Sequence, residues 1–159
     1  MKMVIAPQAF KGSISALGAA QAIASSAHQL FPLAEIIQVP VADGGDGTLD
    51  VLLAATGGRF VDAIVAGPLG APTAARWGVL GDGRTAVIEA AQACGLTLLP
   101  KKDQNPAKTS TFGVGELIGL ALDAGFRRMI IGLGGSSTND GGAGLASALG
   151  VSFLNRNGA

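Results

Sequence analysis

A short apolar run, residues 129–133, passes directly into a polar loop of nine residues at 134–142, and this junction restricts the fold more than any other feature. An unbroken apolar run of this length is typical of a strand that is buried on both faces. The loop contains four glycines and a block of hydroxyl, amide and carboxyl side chains. The junction therefore predicts a buried strand that leads into a functional loop and then a helix.

The first part of the chain repeats this arrangement. Residues 3–6 form a further short apolar run, and residues 36–39, which include Gln38, predict a second strand. Apolar residues recur at helical spacing between residues 14 and 30. Residues 48–55 predict a second helix, which Gly57 would end. Strand, helix, strand and helix in this order predict an α/β fold with a parallel sheet.

The pattern changes after residue 58. Residues 60–65, 74–80 and 86–89 predict three strands separated by short glycine-containing turns, which are typical of antiparallel neighbours. A helix is expected at residues 112–124, and residues 151–153 predict one more strand.

Composition excludes several classes of protein. The 11 lysines and arginines are balanced by 11 aspartates and glutamates, so the net charge gives no indication that the protein binds a nucleic acid or an anionic membrane. Residues 12–34 contain no charged side chain, but their serines, glutamines and histidine favour a helix of a soluble domain over a membrane span. Pro7 and Lys11 interrupt any signal peptide, and the single cysteine, Cys94, can form no intrachain disulfide. A cytoplasmic protein is expected.

The predicted loops follow the carboxyl ends of strands, where α/β proteins bind ligands. In the third of these loops, residues 134–142, glycines allow backbone amides to approach an anion, while Ser136, Thr138 and Asn139 add hydrogen-bond donors. Asp140 supplies a carboxylate for a metal or a proton. The alternative interpretation is a tight turn in which Asp140 only caps the next helix.

The other two loops, residues 7–13 and 42–48, carry charge. Asp43 and Asp46 lie three residues apart in a glycine-rich segment and suit Mg²⁺ or a polyhydroxy substrate, although one of them could simply end a turn. Lys11 precedes a helix and is a natural partner for phosphate or carboxylate, although most exposed lysines are only solvated.

These loops together resemble the bacterial type-1 glycerate kinases. The matching segments extend in order along essentially the whole chain. They are residues 4–7, 10–13, 41–45, 105–106, 111–113, 115–118 and 131–142. The resemblance implies two α/β domains, one of them flavodoxin-like, with a cleft between them. It places residues 1–58 in the first domain and residues 59–159 in a partial second domain.

The same resemblance implies phosphoryl transfer from ATP, with Mg²⁺, to a hydroxyl of glycerate. The resemblance implies catalytic roles for Lys11, Asp43 and Asp140 and metal binding by Asp43 and Asp46. Substrate or phosphate would be bound by the remaining loop residues, namely Ser13, Gly44, Gly45, Gly134, Gly135, Ser136, Thr138 and Asn139.

Three departures from the family pattern bear on activity. Gln8 and Ala9 stand where an aspartate and a serine are usual, and Asp46 replaces a glutamate. The chain is also much shorter than family members, so an unfinished sheet would favour self-association and a fragment that is inactive alone. A non-catalytic remnant and a nucleotide- or anion-binding module on the same scaffold are the alternatives.

Overall fold

The structure is a computed structural model that describes residues 1–158, and its first unit is a parallel β–α–β arrangement. Strands β1 (Lys2–Ile5) and β2 (Glu35–Gln38) pair in parallel and form a two-stranded sheet. Helix α1 (Ala16–Leu30) connects them, and the Ser15 side chain caps it by accepting a hydrogen bond of 3.1 Å from the Gly18 amide. The predicted elements of this segment are confirmed.

The second sheet is mixed and has four strands in chain order. Strand β3 (Arg59–Ala66) pairs antiparallel with β4 (Pro72–Val79), β4 pairs antiparallel with β5 (Thr85–Glu89), and β5 pairs in parallel with β6 (Arg128–Gly132). The antiparallel arrangement expected from the short turns is confirmed. The remaining α-helices are α2 (Thr48–Thr56), α3 (Ala91–Cys94), α4 (Phe112–Asp123) and α5 (Ala143–Ala148). Among residues 1–158, no helix combines the length and apolarity needed to cross a membrane.

The second sheet has helices on both faces. On one face, α4 buries Val114 and Leu117 against strand residues that include Trp77, whose ring meets Phe126 edge to face with centroids 5.5 Å apart. On the other face, α2 buries Leu49 and Leu53 in a cluster with Val87 of β5. Helix α2 therefore packs on the second sheet, although it precedes residue 58. The division of the chain at residue 58 stays a prediction.

The edge strands differ from the sequence-based expectation. Val4 of β1 is 59% exposed and Ile131 of β6 is 40% exposed, so these strands are not buried on both faces. The reason is topological, because β6 ends its sheet and β1 has only β2 as a neighbour within the described residues. Helix α1 likewise buries five of its alanines but leaves Leu30 75% exposed. Residues 151–153 form no strand, which corrects that expectation.

Candidate functional site

The first two loops and the beginning of the third meet around one cleft. The cleft has a volume of about 590 Å³ and lies beside the N-terminus of α1. The predicted site residues that line it are Lys11, Ser13, Asp43, Gly45, Asp46, Gly134 and Gly135. Gly44, Ser136, Thr138, Asn139 and Asp140 lie outside its lining. The tertiary structure thus brings together roughly half of the predicted site.

Glycines allow the second and third loops to pack backbone against backbone. The Gly134 amide donates a hydrogen bond of 2.8 Å to the Gly44 carbonyl. A Cβ on Gly134 would lie 2.7 Å from Gly45 Cα, and a Cβ on Gly132 would lie 2.7 Å from the Gly44 oxygen. Side chains at these positions would push the loops apart. The glycine excess in these loops therefore serves close packing of the chain on itself.

Asp43 lies at the cleft entrance with a cationic neighbour. Its Oδ1 accepts a hydrogen bond of 3.1 Å from the Gly45 amide. That amide, a hydrogen bond from the Gln8 side chain and the nearby charge of Lys11 together lower the pKa of the Asp43 carboxyl, against a smaller opposing effect of desolvation. Asp43 is held ionised and remains exposed to solvent.

Asp46 is an unpaired carboxylate in the same loop. No hydrogen bond or ion pair within residues 1–158 involves its side chain. It faces the start of the third loop, since a Cβ on Gly135 would lie 3.3 Å from Asp46 Oδ1. The Asp46 oxygens are therefore free to bind a ligand.

Glu89 is a cleft residue that sequence analysis missed. It ends strand β5, it is 1% exposed, and it borders the cleft. Its carboxylate accepts hydrogen bonds from the Leu49 amide at 2.8 Å and the Gly47 amide at 3.3 Å. Its position was a usable signal, because it is a charged residue at the carboxyl end of an otherwise apolar strand.

Asp140 binds the chain itself. Its carboxylate accepts hydrogen bonds from the Thr111 amide at 2.8 Å, the Gly142 amide at 3.0 Å and the Gly144 amide at 3.1 Å. Burial raises the pKa of this carboxyl, but these bonds and one from the Thr111 hydroxyl outweigh it and lower the pKa overall. The amides at the start of α5 are therefore partly occupied by Asp140, as the capping interpretation predicts. A catalytic role for Asp140 stays a prediction.

Most other polar residues of the third loop also form hydrogen bonds within the chain. The Ser137 hydroxyl donates to the Cys94 carbonyl at 2.9 Å, and the Thr138 hydroxyl donates to the Thr109 carbonyl at 2.8 Å. Ser136 forms a backbone bridge with Gly95, and the Asn139 side chain is exposed. These contacts hold the loop against the segments that precede α4.

Cys94 is a core residue. Its side chain is fully buried, and burial, with a contribution from Asp140, raises the pKa of the thiol to about 11. At neutral pH such a thiol stays protonated and is a poor nucleophile. Cys94 is also absent from the lining of the cleft formed by residues 1–158, so it is not a candidate nucleophile there.

Comparison with known proteins decides the family. The sequence model described as "Glycerate kinase family" matches residues 3–159. The chain belongs to the glycerate kinase family. It is 56% identical over 158 residues to the glycerate kinase of Bacillus subtilis strain 168 and 51% identical over 158 residues to the glycerate 2-kinase of Escherichia coli K12. Each alignment covers 99% of this chain.

A solved structure gives the same result for the fold. The crystal structure of a protein assigned as glycerate kinase 2 from Salmonella typhimurium LT2 superposes with a TM-score of 0.83 at 48% sequence identity. The superposition covers 99% of this chain and 42% of that chain. The chain spans 41% of the Bacillus relative and 42% of the Escherichia relative, although both alignments extend along nearly the whole of this chain.

Proposed function

We propose that this chain forms the N-terminal part of an enzyme that transfers a phosphoryl group from ATP to a hydroxyl of glycerate. The family assignment supports the reaction class, and one observation supports the site. Three loops, far apart in sequence, converge on a cleft that presents Lys11 beside Asp43 and the unpaired Asp46. The cytoplasmic location expected from the sequence is part of the same proposal.

The roles of these residues follow from the chemistry of phosphoryl transfer. Catalysis of this reaction requires mainly the alignment of donor and acceptor and the neutralisation of charge on the phosphoryl oxygens. Lys11 supplies a positive charge for a phosphate or for the glycerate carboxylate. Asp43, which is ionised and exposed, can accept a hydrogen bond from a substrate hydroxyl. The Ser13 hydroxyl and the Gly135 amide can donate to bound oxygen atoms.

Asp43 and Asp46 fit the donor chemistry of Mg²⁺. Both present carboxylate oxygens at the cleft, and those of Asp46 have no partner within residues 1–158. In that part of the chain, no group of three or more acidic, histidine or cysteine side chains is arranged to hold a metal ion. Mg²⁺ commonly binds through one or two carboxylates plus substrate phosphates and waters, so two aspartates suffice. When bound, the ion would neutralise charge on the transferred phosphoryl group.

The charge of the cleft favours an inactive isolated chain. Four carboxylates border it, those of Asp43, Asp46, Asp50 and Glu89, and Lys11 is the only lysine or arginine in the lining formed by residues 1–158. Glycerate and ATP are both anions, so this cleft alone repels them unless cations are added. We expect the remaining positive groups to come from the part of the enzyme that the relatives have beyond the matched segment. The exposed apolar side chains of α1 and β1 favour self-association of the isolated chain.

A coupled assay of ATP consumption tests this proposal. The purified 159-residue chain is incubated with Mg²⁺, ATP and glycerate, and the chain extended by the C-terminal part of the Bacillus relative serves as the comparison. Turnover by the extended protein, abolished by Lys11→Met, would support the assignment. A non-catalytic remnant predicts no turnover by either protein. A nucleotide-binding module predicts thermal stabilisation by ATP but not by glycerate.

A further inference from the structure

The buried carboxylate of Glu89 has no cationic partner. It is 1% exposed, and neither of the two ion pairs within residues 1–158 includes it. An isolated buried carboxylate is costly unless hydrogen bonds compensate for the lost water. Three donors provide that compensation, namely the Leu49 amide at 2.8 Å, the Gly47 amide at 3.3 Å and the Gln92 side chain at 3.3 Å. Glu89 is thus specifically bound to its surroundings.

Helix α2 lacks a cap of its own. Its N-cap position is Gly47, which has φ +88° and no side chain to accept the first amides of the helix. Glu89 reaches these amides from the end of β5 and replaces the missing cap. Its negative charge also lies at the positive end of the helix dipole, where an anion is favourable. One residue of the sheet therefore fixes the start of α2.

The loop between Asp43 and Gly47 is held from two sides. Backbone contact between Gly44 and Gly134 fixes it on the β6 side, and Glu89 fixes it on the β5 side. Asp46 lies between these attachments and Asp43 directly precedes the first of them, and both carboxylates border the cleft. Without the Glu89 bonds, the loop would keep its local hydrogen bonds to Thr48 and the apolar packing of Leu49, but it would lose its hydrogen bonds to the end of β5.

We infer that Glu89 is a positioning residue whose side chain holds α2 and the loop of Asp43 and Asp46 in the orientation that the cleft requires. This inference rests on the proposed function for its effect on ligand binding. Its structural part, that the loop depends on Glu89, stands on the contacts alone. Glu89 acts through the backbone amides that it binds.

Glu116 provides a matched control. Its carboxylate also accepts a hydrogen bond from a backbone amide, that of Ala66 at 2.6 Å, but it does not border the cleft. Glu89→Gln and Glu116→Gln each retain the shape of the side chain and replace one acceptor oxygen with a donor. Both substitutions should lower the melting temperature, and only Glu89→Gln should alter the cleft.

The experiment compares both variants with the unaltered chain. Amide hydrogen exchange is measured by NMR on the 159-residue chain without ligand. Titration calorimetry on the same substitutions in the extended chain then uses Mg²⁺ with ATP, and glycerate, as probes. We expect Glu89→Gln to accelerate exchange at Gly45, whose amide binds Asp43, and at Leu49 by roughly tenfold or more, and to weaken probe binding by a similar factor. Glu116→Gln should leave both unchanged.

The remaining outcomes each decide for or against the role of Glu89. Binding that weakens equally in both variants, in proportion to lost stability, would overturn the inference because a general structural role would then suffice. If no probe binds to any of the extended proteins, the proposed function fails, and exchange at Gly45 in the 159-residue chain decides the inference alone. Unchanged exchange there in Glu89→Gln would overturn it. If that variant does not fold, Glu89→Asp keeps the charge, shortens the reach and is judged by the same criteria.

Discussion

Replacement of Asp140 by asparagine tests whether this residue holds the third loop and α5 together. Its Oδ2 accepts bonds from the amides of Thr111 at 2.8 Å and Gly144 at 3.1 Å, and its Oδ1 accepts one from the Gly142 amide at 3.0 Å. An asparagine amide supplies one acceptor oxygen, so at least one of these buried or half-buried donors would face an NH₂ group. Hydrogen bonds to charged acceptors contribute about 1.5–3 kcal/mol each, and an unsatisfied donor costs about 1–3 kcal/mol. We expect a loss of about 2–4 kcal/mol in the free energy of unfolding.

Urea denaturation followed by circular dichroism at neutral pH measures this loss. For a chain of this size the loss corresponds to a fall in melting temperature of roughly 5–15 °C. Asp123→Asn, at an exposed position where α4 ends, is the control and should change stability by less than about 0.5 kcal/mol. Equal midpoints for Asp140→Asn and the unaltered chain would refute the structural role.

The pH dependence provides a second check on Asp140. Because its folded pKa lies below the ordinary value of 3.8, its contribution to stability is complete well above that value and is lost as the pH falls through the folded pKa. The stability difference between the unaltered chain and Asp140→Asn should therefore shrink on acidification below that range. A difference that stays constant in acid would show that the carboxylate charge is irrelevant.

Three further predictions concern the cleft and the core. In the chain extended by the C-terminal part of the Bacillus relative, Lys11→Met should weaken binding of Mg²⁺-ATP or glycerate about tenfold in titration calorimetry, whereas Lys108→Met, outside the cleft, should not. Equal effects of the two substitutions would argue against a phosphate role for Lys11. Gly134→Ala should destabilise the chain by about 1–3 kcal/mol in thermal unfolding, because the added Cβ would lie 2.7 Å from the backbone of Gly45. Gly119→Ala is the control and should be neutral or stabilising, because its Cβ would meet no described atom within 4 Å. Cys94, with its pKa raised to about 11, should resist thiol reagents at pH 8 until the protein unfolds, and rapid labelling of the native chain would contradict its burial.

Local sequence patterns were sufficient for most of the fold. Alternating apolar and polar stretches located the helices and strands, and the short turns predicted the antiparallel pairing of β3, β4 and β5. Glycine-rich segments after apolar runs also located the three loops. These features depend on neighbours within a few residues, so they are visible in the sequence. The loop motifs were also long enough to indicate the family.

The sequence alone could not decide which loop residues share the cleft. It grouped Asp140 with Lys11 and Asp43 because all three follow strands, but the structure directs Asp140 to the start of α5. It also passed over Glu89, whose importance comes from amides 40 and 42 positions away.

There is a physical reason why the sequence predicts some features of this protein and only the tertiary structure shows others. The sequence determined the strands, the helices and the loops at their ends, because backbone preference and apolar spacing act locally. Only the tertiary structure decided whether a loop carboxylate faces the cleft or accepts hydrogen bonds from the chain's own amides. That choice depends on which unpaired backbone donors lie nearby after folding, and Asp46 and Asp140, both in glycine-rich loops, have opposite outcomes for this reason.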